Sequence, residues 1–347
     1  MRAAVYHGPG DLRIEDRERP RIGPDEALLR VSHCGICGTD HRIVAGKHRL
    51  LPAGTLRIPG HEIVGEIVEV GANVQNALPT GPVVVAPNTG CGLCRECLSG
   101  NGNRCINARA LGITDDGAFA EFLKIPAAAI VQGNVIPLKA DTDPLAASLI
   151  EPLACVLRGQ DHLDIEPADT VLVVGAGPIG ILHVMLARMK GAATVTIADR
   201  WPERLALAQR LGAERALDLR GRNLMAAARS DSSSRGFDVI IVAAPSLEAD
   251  VAALDLAAPG GRINWFAGLP KTESTATVDT NTVHYKELRV TGTTACSASD
   301  CQRAADIVSS GRIDVAPLVT RTRPISEAPD EFAKAKDHTS LKTVLVI

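Results

Sequence analysis

Two textures of hydrophobic and polar positions divide this chain. Up to about residue 145, short β-rich runs (Val5–His7, Ala27–Val31, Glu62–Val70, Pro82–Ala86) are broken repeatedly by Gly and Pro. That pattern predicts an all-β or α+β unit. A segment marked by Pro and Asp, from Pro137 to Pro144, leads into a predicted helix over Leu145–Gln160. From Thr170 the texture changes. Apolar runs at Val171–Val174, Thr194–Ala198, Phe237–Val242 and Arg262–Phe266 alternate with helix-like stretches at Ile179–Lys190, Glu203–Leu211 and Leu247–Leu256. Continuous apolar strands alternating with helices predict a doubly wound parallel sheet, whose strands are buried on both faces. The tail beyond about residue 295 ends in one more strand-like run, Thr343–Ile347.

Composition narrows the function classes. At 347 residues the chain suits about two domains. Its formal net charge is −3, and it carries only five Phe, two Trp and two Tyr. Neither a phosphate-backbone surface nor a set of base-stacking faces is expected, so nucleic acid is excluded as a partner. The longest apolar stretch, Val171 to Ala187, is interrupted by Gly175, Gly177, Pro178 and Gly180 and does not read as a spanning helix. The first residues lack the apolar region of an export signal. A cytoplasmic protein with no membrane partner is the expectation. In that reducing setting the nine cysteines call for a role other than disulfides.

The sharpest local signal is Gly175-Ala-Gly177-Pro-Ile-Gly180, which follows the strand Val171–Val174 and opens a helix. Gly175 permits a tight turn, Gly177 lets the backbone approach a pyrophosphate, and Gly180 allows close helix–strand packing. The helix start supplies free N–H groups and a positive dipole end. Asp199 lies nineteen residues beyond Gly180, at the end of the next strand. A carboxylate there accepts hydrogen bonds from ribose hydroxyls and repels a 2′-phosphate, so NAD is the expected cofactor, although Arg200 and Arg204 stand close by in sequence.

A second signal is Cys91-x2-Cys94-x2-Cys97-x7-Cys105. Four thiolates close a tetrahedral shell around a structural zinc. A redox pair or an iron–sulfur cluster is the alternative, and the spacing and the closed four-thiolate count favour zinc. Other zinc donors are scattered: Cys37, the His61-Glu62 pair, and Glu151. Thiolate, imidazole and carboxylate with one open position make a catalytic zinc site. Each residue alone reads equally well as a solvated side chain.

Taken together, Gly35-Ile-Cys37-Gly-Thr39-Asp40, Gly60-His61-Glu62-x2-Gly65, the four-cysteine cluster, Glu151-Pro152-Leu153 and the glycine motif resemble the zinc-dependent medium-chain dehydrogenase/reductase family. Glu62, Glu151 and the Asp199…Arg204 spacing most resemble its polyol (sorbitol-like) branch. The resemblance implies an α/β architecture: a GroES-like β-barrel catalytic domain over 1–149, completed by 295–347, and a Rossmann NAD-binding domain over 150–294. It implies two zinc ions per chain, one held by Cys91, Cys94, Cys97 and Cys105. The other would be catalytic, on Cys37 and His61 with Glu62 and Glu151 competing for the remaining positions. Thr39 would take the alcohol proton as hydride passes to NAD. Asp199 and Arg204 would hold the adenosine ribose, and Ile179 would pack near the pyrophosphate. A homodimer or homotetramer is implied as well.

Two departures stand out. The family's relay histidine, five residues after the zinc cysteine, is Arg42 here, and His41 falls one place early. The segment Thr293-Thr-Ala-Cys296 carries small side chains where sorbitol enzymes have long polar ones. The expected activity is oxidation of a secondary alcohol of a polyol or sugar. The alternatives are a threonine-type or simple alcohol dehydrogenase on the same scaffold, or a nicotinamide-binding sensor without turnover.

Overall fold

The computed structural model describes residues 1–347 apart from 53, 76, 232–234 and 335–339, and apart from the side chains of 230, 231 and 271. The chain divides into two compact units, Met1–Ala154 with Ala295–Ile347, and Cys155–Thr294.

In the first unit β1 (Arg2–Gly8) and β2 (Asp11–Asp16) form an antiparallel hairpin. The longer strands β3 (Ala27–Gly35) and β4 (Glu62–Val70) pair antiparallel, with helix α1 (Gly38–Val44) in the connection. Next come β5 (Pro82–Val85) and the short pair β6 (Asn88–Thr89) and β7 (Arg109–Ala110), which flank helix α2 (Arg95–Leu98). Then follow β8 (Phe122–Ile125), α3 (Ala127–Val131) and β9 (Val135–Pro137). The side chains that face inward, among them Leu29, Ile63, Phe119 and Ile125, form one buried core.

The single helix expected over Leu145–Gln160 is instead two, α4 (Pro144–Ala147) and α5 (Ile150–Asp161). Pro152 has no N–H to donate back to residue 148, so one continuous ladder cannot run through this point. The Asp143 side chain caps the first helix by accepting from Leu145 N at 2.9 Å.

The second unit alternates β10 (Thr170–Val174), α6 (Pro178–Met189), β11 (Thr194–Asp199), α7 (Pro202–Arg210), β12 (Arg215–Asp218), α8 (Leu224–Asp231), β13 (Phe237–Val242), α9 (Leu247–Leu256), β14 (Ala257–Trp265), α10 (Thr280–Tyr285) and β15 (Arg289–Gly292). The six strands are parallel in the order β12-β11-β10-β13-β14-β15, the 3-2-1-4-5-6 order of a Rossmann sheet. Strand β12 escaped the sequence reading because only Leu217 among its four residues is fully buried, which leaves almost no apolar pattern.

The chain then returns to the first unit through α11 (Ala298–Ser309), β16 (Val319–Pro324), α12 (Ala328–Ala333) and β17 (Lys342–Val346). Strand β17 pairs with β3, which completes a seven-stranded sheet. Among the described residues no helix is long and apolar enough to cross a membrane.

Candidate active site

The site in the first unit begins with the register of β3 against β4. Gly35 pairs with Glu62, and Cys34 with Ile63. A Cβ on Gly35 would fall 1.8 Å from Glu62 Oε2, so the carboxylate fills space that only glycine leaves. Gly60 sits at φ +95°, and a Cβ there would strike the Phe119 ring at 2.4 Å, so glycine is required just before His61. Cys37 immediately precedes α1, and its N–H donates to Asp40 Oδ2 at 2.8 Å.

These turns bring Cys37, His61 and Glu62 together, with one ligating atom from each within 4.8 Å of the others. Asp40, fully buried, stands behind them. His61 Nδ1 is 3.3 Å from Asp40 Oδ1, close in charge though outside hydrogen-bond geometry. Burial works against the charged imidazole, yet Asp40 and Cys37 together hold the His61 pKa well above the usual value. Burial likewise works against the Cys37 thiolate, and His61 brings that thiol net below its ordinary range. The His61 imidazolium thus stabilises the Cys37 thiolate and the Asp40 carboxylate, and each of these stabilises it in turn.

Glu62 has a partner that the sequence reading missed. The buried Lys342, on β17, forms an ion pair with Glu62 Oε1, and its ammonium also donates to Ile36 O at 3.0 Å. Glu62 Oε2 is buried with no hydrogen-bond partner among the described residues. Glu151, expected beside Glu62, contributes none of the three atoms within 4.8 Å of one another, but the charges of His61, Glu62 and Cys37 all act on it. Cys296 Sγ donates to Glu151 Oε1 at 3.7 Å, and burial, followed by that thiol, pushes the Glu151 carboxyl well above the usual range. Thr39 lies in the first turn of α1, where Arg42 Nη2 donates to its Oγ1 at 3.3 Å. His41 packs instead on the Phe332 ring, with centroids 4.9 Å apart. The signal for Asp40 was present in the sequence as an acid three residues after Cys37, a capping-box spacing. Nothing local marks Lys342 or Cys296.

Thiolate, imidazole and a buried carboxylate oxygen without a hydrogen-bond partner suit zinc. The four-cysteine lobe suits it as well. Cys94 and Cys97 Sγ are 3.5 Å apart, and Cys91 and Cys97 Sγ 4.0 Å. Tetrahedral zinc–sulfur bonds of about 2.3 Å give sulfur–sulfur edges of about 3.8 Å. Backbone N–H groups point at the sulfurs: Cys94 N donates to Cys91 Sγ, and Cys91 N and Asn107 N to Cys105 Sγ, each at 3.4 Å. N–H groups of Leu93 and Cys94 lower the Cys91 thiol to about 6. A Cβ on Gly90 would lie 2.3 Å from Cys97 Sγ.

In the second unit the three motif glycines differ in what they permit. Gly175 has φ +104°, a turn that side chains resist. Gly180 packs so closely that a Cβ would lie 1.7 Å from Gly175 O. A Cβ on Gly177 would meet nothing within 4 Å, so the backbone there opens onto free space at the start of α6. Ile179 follows in the first turn of that helix. Asp199 ends β11 and accepts from Ala176 N at 2.5 Å, Arg200 N at 2.6 Å and Trp201 N at 3.1 Å. Gly175, Asp199 and Arg204 line an open cleft of about 930 Å³ at the C-terminal ends of the strands, where such sheets bind nucleotides.

This fold and these donor sets define a class. The chain matches the alcohol dehydrogenase GroES-like domain over residues 23–137 and the zinc-binding dehydrogenase domain over residues 178–310. It belongs to the zinc-dependent alcohol dehydrogenases of the medium-chain dehydrogenase/reductase family, and it is an oxidoreductase with a GroES-like domain and a Rossmann domain. Among its relatives, an L-threonine 3-dehydrogenase of Caldanaerobacter subterraneus subsp. tengcongensis is 33% identical over 93% of this chain and 91% of that protein. A protein described as a zinc-binding dehydrogenase from Sinorhizobium meliloti 1021, solved bound to NADP, is 31% identical with a TM-score of 0.91, covering 100% of this chain and 99% of that one. An alcohol dehydrogenase of E. coli CFT073, solved with NADH, is 29% identical with a TM-score of 0.90 over the same shares.

Proposed function

We propose that the protein oxidises a secondary alcohol flanked by a second polar group, as in a polyol or sugar, to the ketone, with NAD as hydride acceptor. The convergence of Cys37, His61 and Glu62 within 4.8 Å of one another, with Thr39 in the adjoining helical turn, carries this reading. Cys37 and His61 would hold a catalytic zinc, with Glu62, steadied by Lys342, and Glu151 as candidates for the remaining positions. Zinc, when bound, supplies a Lewis acid that makes the alcohol more acidic. A bound nicotinamide would supply the acceptor for the hydride of the carbinol carbon. Thr39 Oγ1 takes the alcohol proton and passes it toward solvent. At the other substrate, the free N–H groups at the start of α6 meet the pyrophosphate beside Gly177 and Ile179, and Asp199 and Arg204 hold the ribose. A second zinc on the four cysteines organises their lobe, and the chain works as a closed symmetric oligomer.

A carboxylate-rich donor set with one thiolate favours oxygen ligands, which suits a substrate able to offer two adjacent polar groups. The L-threonine relatives favour a second reading, since threonine is also a secondary alcohol with a polar neighbour. Measuring kcat/KM with NAD over vicinal polyols, L-threonine, ethanol and butanol separates these. Vicinal polyols should exceed the simple alcohols at least roughly tenfold, about 1.4 kcal/mol. Faster turnover of ethanol or butanol overturns the proposal, and L-threonine leading the panel selects the second reading.

A further inference from the structure

Arg42 occupies a position that its place in the sequence does not explain. A cation in the last turn of a helix ordinarily complements the partial negative charge of the C-terminal carbonyls. Arg42 reaches back one turn instead, and its guanidinium donates to Thr39 Oγ1 at 3.3 Å. In the functional reading above, that is the hydroxyl that meets the reacting alcohol. The rest of α1 keeps further positive charge nearby. Gly46, at φ +68°, closes the helix with its N–H on Ile43 O at 2.8 Å, and Lys47 N returns to Arg42 O at 2.8 Å. This paired closure brings the backbone of Lys47 back against Arg42. Arg49 follows two residues later. No Asp or Glu occurs between Asp40 and Glu62. Arg57 in that span is already matched by Asp116 at 3.1 Å. Among the described residues, Arg42, Lys47 and Arg49 make no ion pair. His48 between them is half-buried and held below the usual imidazole range, by burial first and then by Arg42 and Arg49. Three exposed cations and no exposed anion therefore crowd the segment that carries Thr39.

We infer that the substrate carries an anionic group, a carboxylate or a phosphate, a few atoms from the reacting carbon, and that Arg42 binds it. The inference rests on the reading of Thr39 as the residue that meets the alcohol. A planar guanidinium presents two parallel donors that match a carboxylate or a phosphate. Lys47 and Arg49 add a positive field that raises the local concentration of an anion. The amino acid and polyol readings converge here, because an amino acid, a sugar acid and a sugar phosphate all bring such a group.

Matched substrates test this. An alditol, its aldonate and its phosphate ester, together with L-threonine and the corresponding neutral amino alcohol, are compared with wild-type protein and with Arg42→Gln and Arg42→Lys. The expected result is that one anionic member exceeds its neutral partner at least tenfold in kcat/KM. Arg42→Gln should lower that anionic-to-neutral ratio at least tenfold, mainly through KM, and Arg42→Lys should restore most of it. Whether the aldonate, the amino acid or the phosphate ester leads decides between the two anion chemistries. Wild-type preference for the neutral members, or an unchanged ratio in Arg42→Gln, overturns the inference while leaving alcohol oxidation standing. If no member is turned over, the reading of the reaction fails. Calorimetric titration of the same anions into the NADH-loaded protein then decides the inference separately. Binding that Arg42→Gln weakens at least tenfold supports it, and no binding of any anion overturns it.

Discussion

Lys342 and Glu62 are both almost wholly buried and form an ion pair, in which Glu62 first and then the Cys37 and Asp40 charges hold the Lys342 ammonium charged against burial. Removing water from two charges costs free energy that their attraction only roughly repays, but removing one partner leaves the other charged and alone. Lys342→Met should therefore lower stability by roughly 3 kcal/mol. Adding Glu62→Gln should recover most of that loss, because the orphaned charge is gone. Urea unfolding of the two variants beside wild type checks this, and a double variant no more stable than the single one would sink it. Asp199 shows the same logic facing a ligand. Its carboxylate gathers three backbone N–H groups at the end of β11, beside the cleft of the second unit. Its charge opposes a 2′-phosphate, whereas Arg200 and Arg204 would welcome one. Asp199→Ser should raise relative use of NADP in kcat/KM. Native protein that already prefers NADP contradicts the assignment of NAD.

Helix α6 illustrates how an element carries a cost for the motif that begins it. Its first turn is committed to Gly177, Pro178 and Gly180, and its centre is buried from Gly180 to Ala187, His183 included. The imidazole packs edge-on against Phe266, and Gln160 donates to its carbonyl at 2.8 Å and sits 3.3 Å from its Nδ1. Burial lowers the His183 pKa to about 3. An unfolded chain takes up that proton near the ordinary value of about 6.5, well before the folded one does. The resulting stability is complete above about pH 6.5 and is lost as pH falls from there toward 3, at up to about 1.4 kcal/mol for each pH unit. Urea titrations at pH 7.5, 6 and 5 should show wild type losing stability faster than His183→Gln, whose side chain cannot titrate. Parallel slopes for the two proteins would contradict the buried neutral imidazole.

The chain is built by inserting one unit within the sequence of the other, and both candidate metal-binding donor sets belong to the unit that the insertion divides. Both donor sets, Cys37–His61–Glu62 and the four cysteines, lie in the first unit. Fully loaded protein should contain two zinc ions per chain by metal analysis. Cys97→Ser should lower the count to one and reduce the melting temperature, because the closed thiolate shell organises the lobe. His61→Ala should also lower the count to one, abolishing turnover with the fold retained by circular dichroism. A count of one in the loaded wild type would remove the second site. The sequence by itself determined whatever is written within a few residues: the strand, glycine turn and helix of the second unit, Asp199 at its offset, and the four-cysteine spacing. In each of these a local backbone geometry requires particular residue types at short intervals. The β-rich texture of the first unit was legible for the same reason. Only the tertiary structure decided that Lys342 neutralises Glu62 across 280 residues of chain, that the Cys296 thiol donates to Glu151, and that Arg42 holds Thr39 while His41 rests on Phe332. The first of these depends on the register in which β17 joins β3 and β3 joins β4, and the others on packing between distant segments. Such register is fixed by the packing of the whole sheet, and no pattern of neighbours along the chain records it.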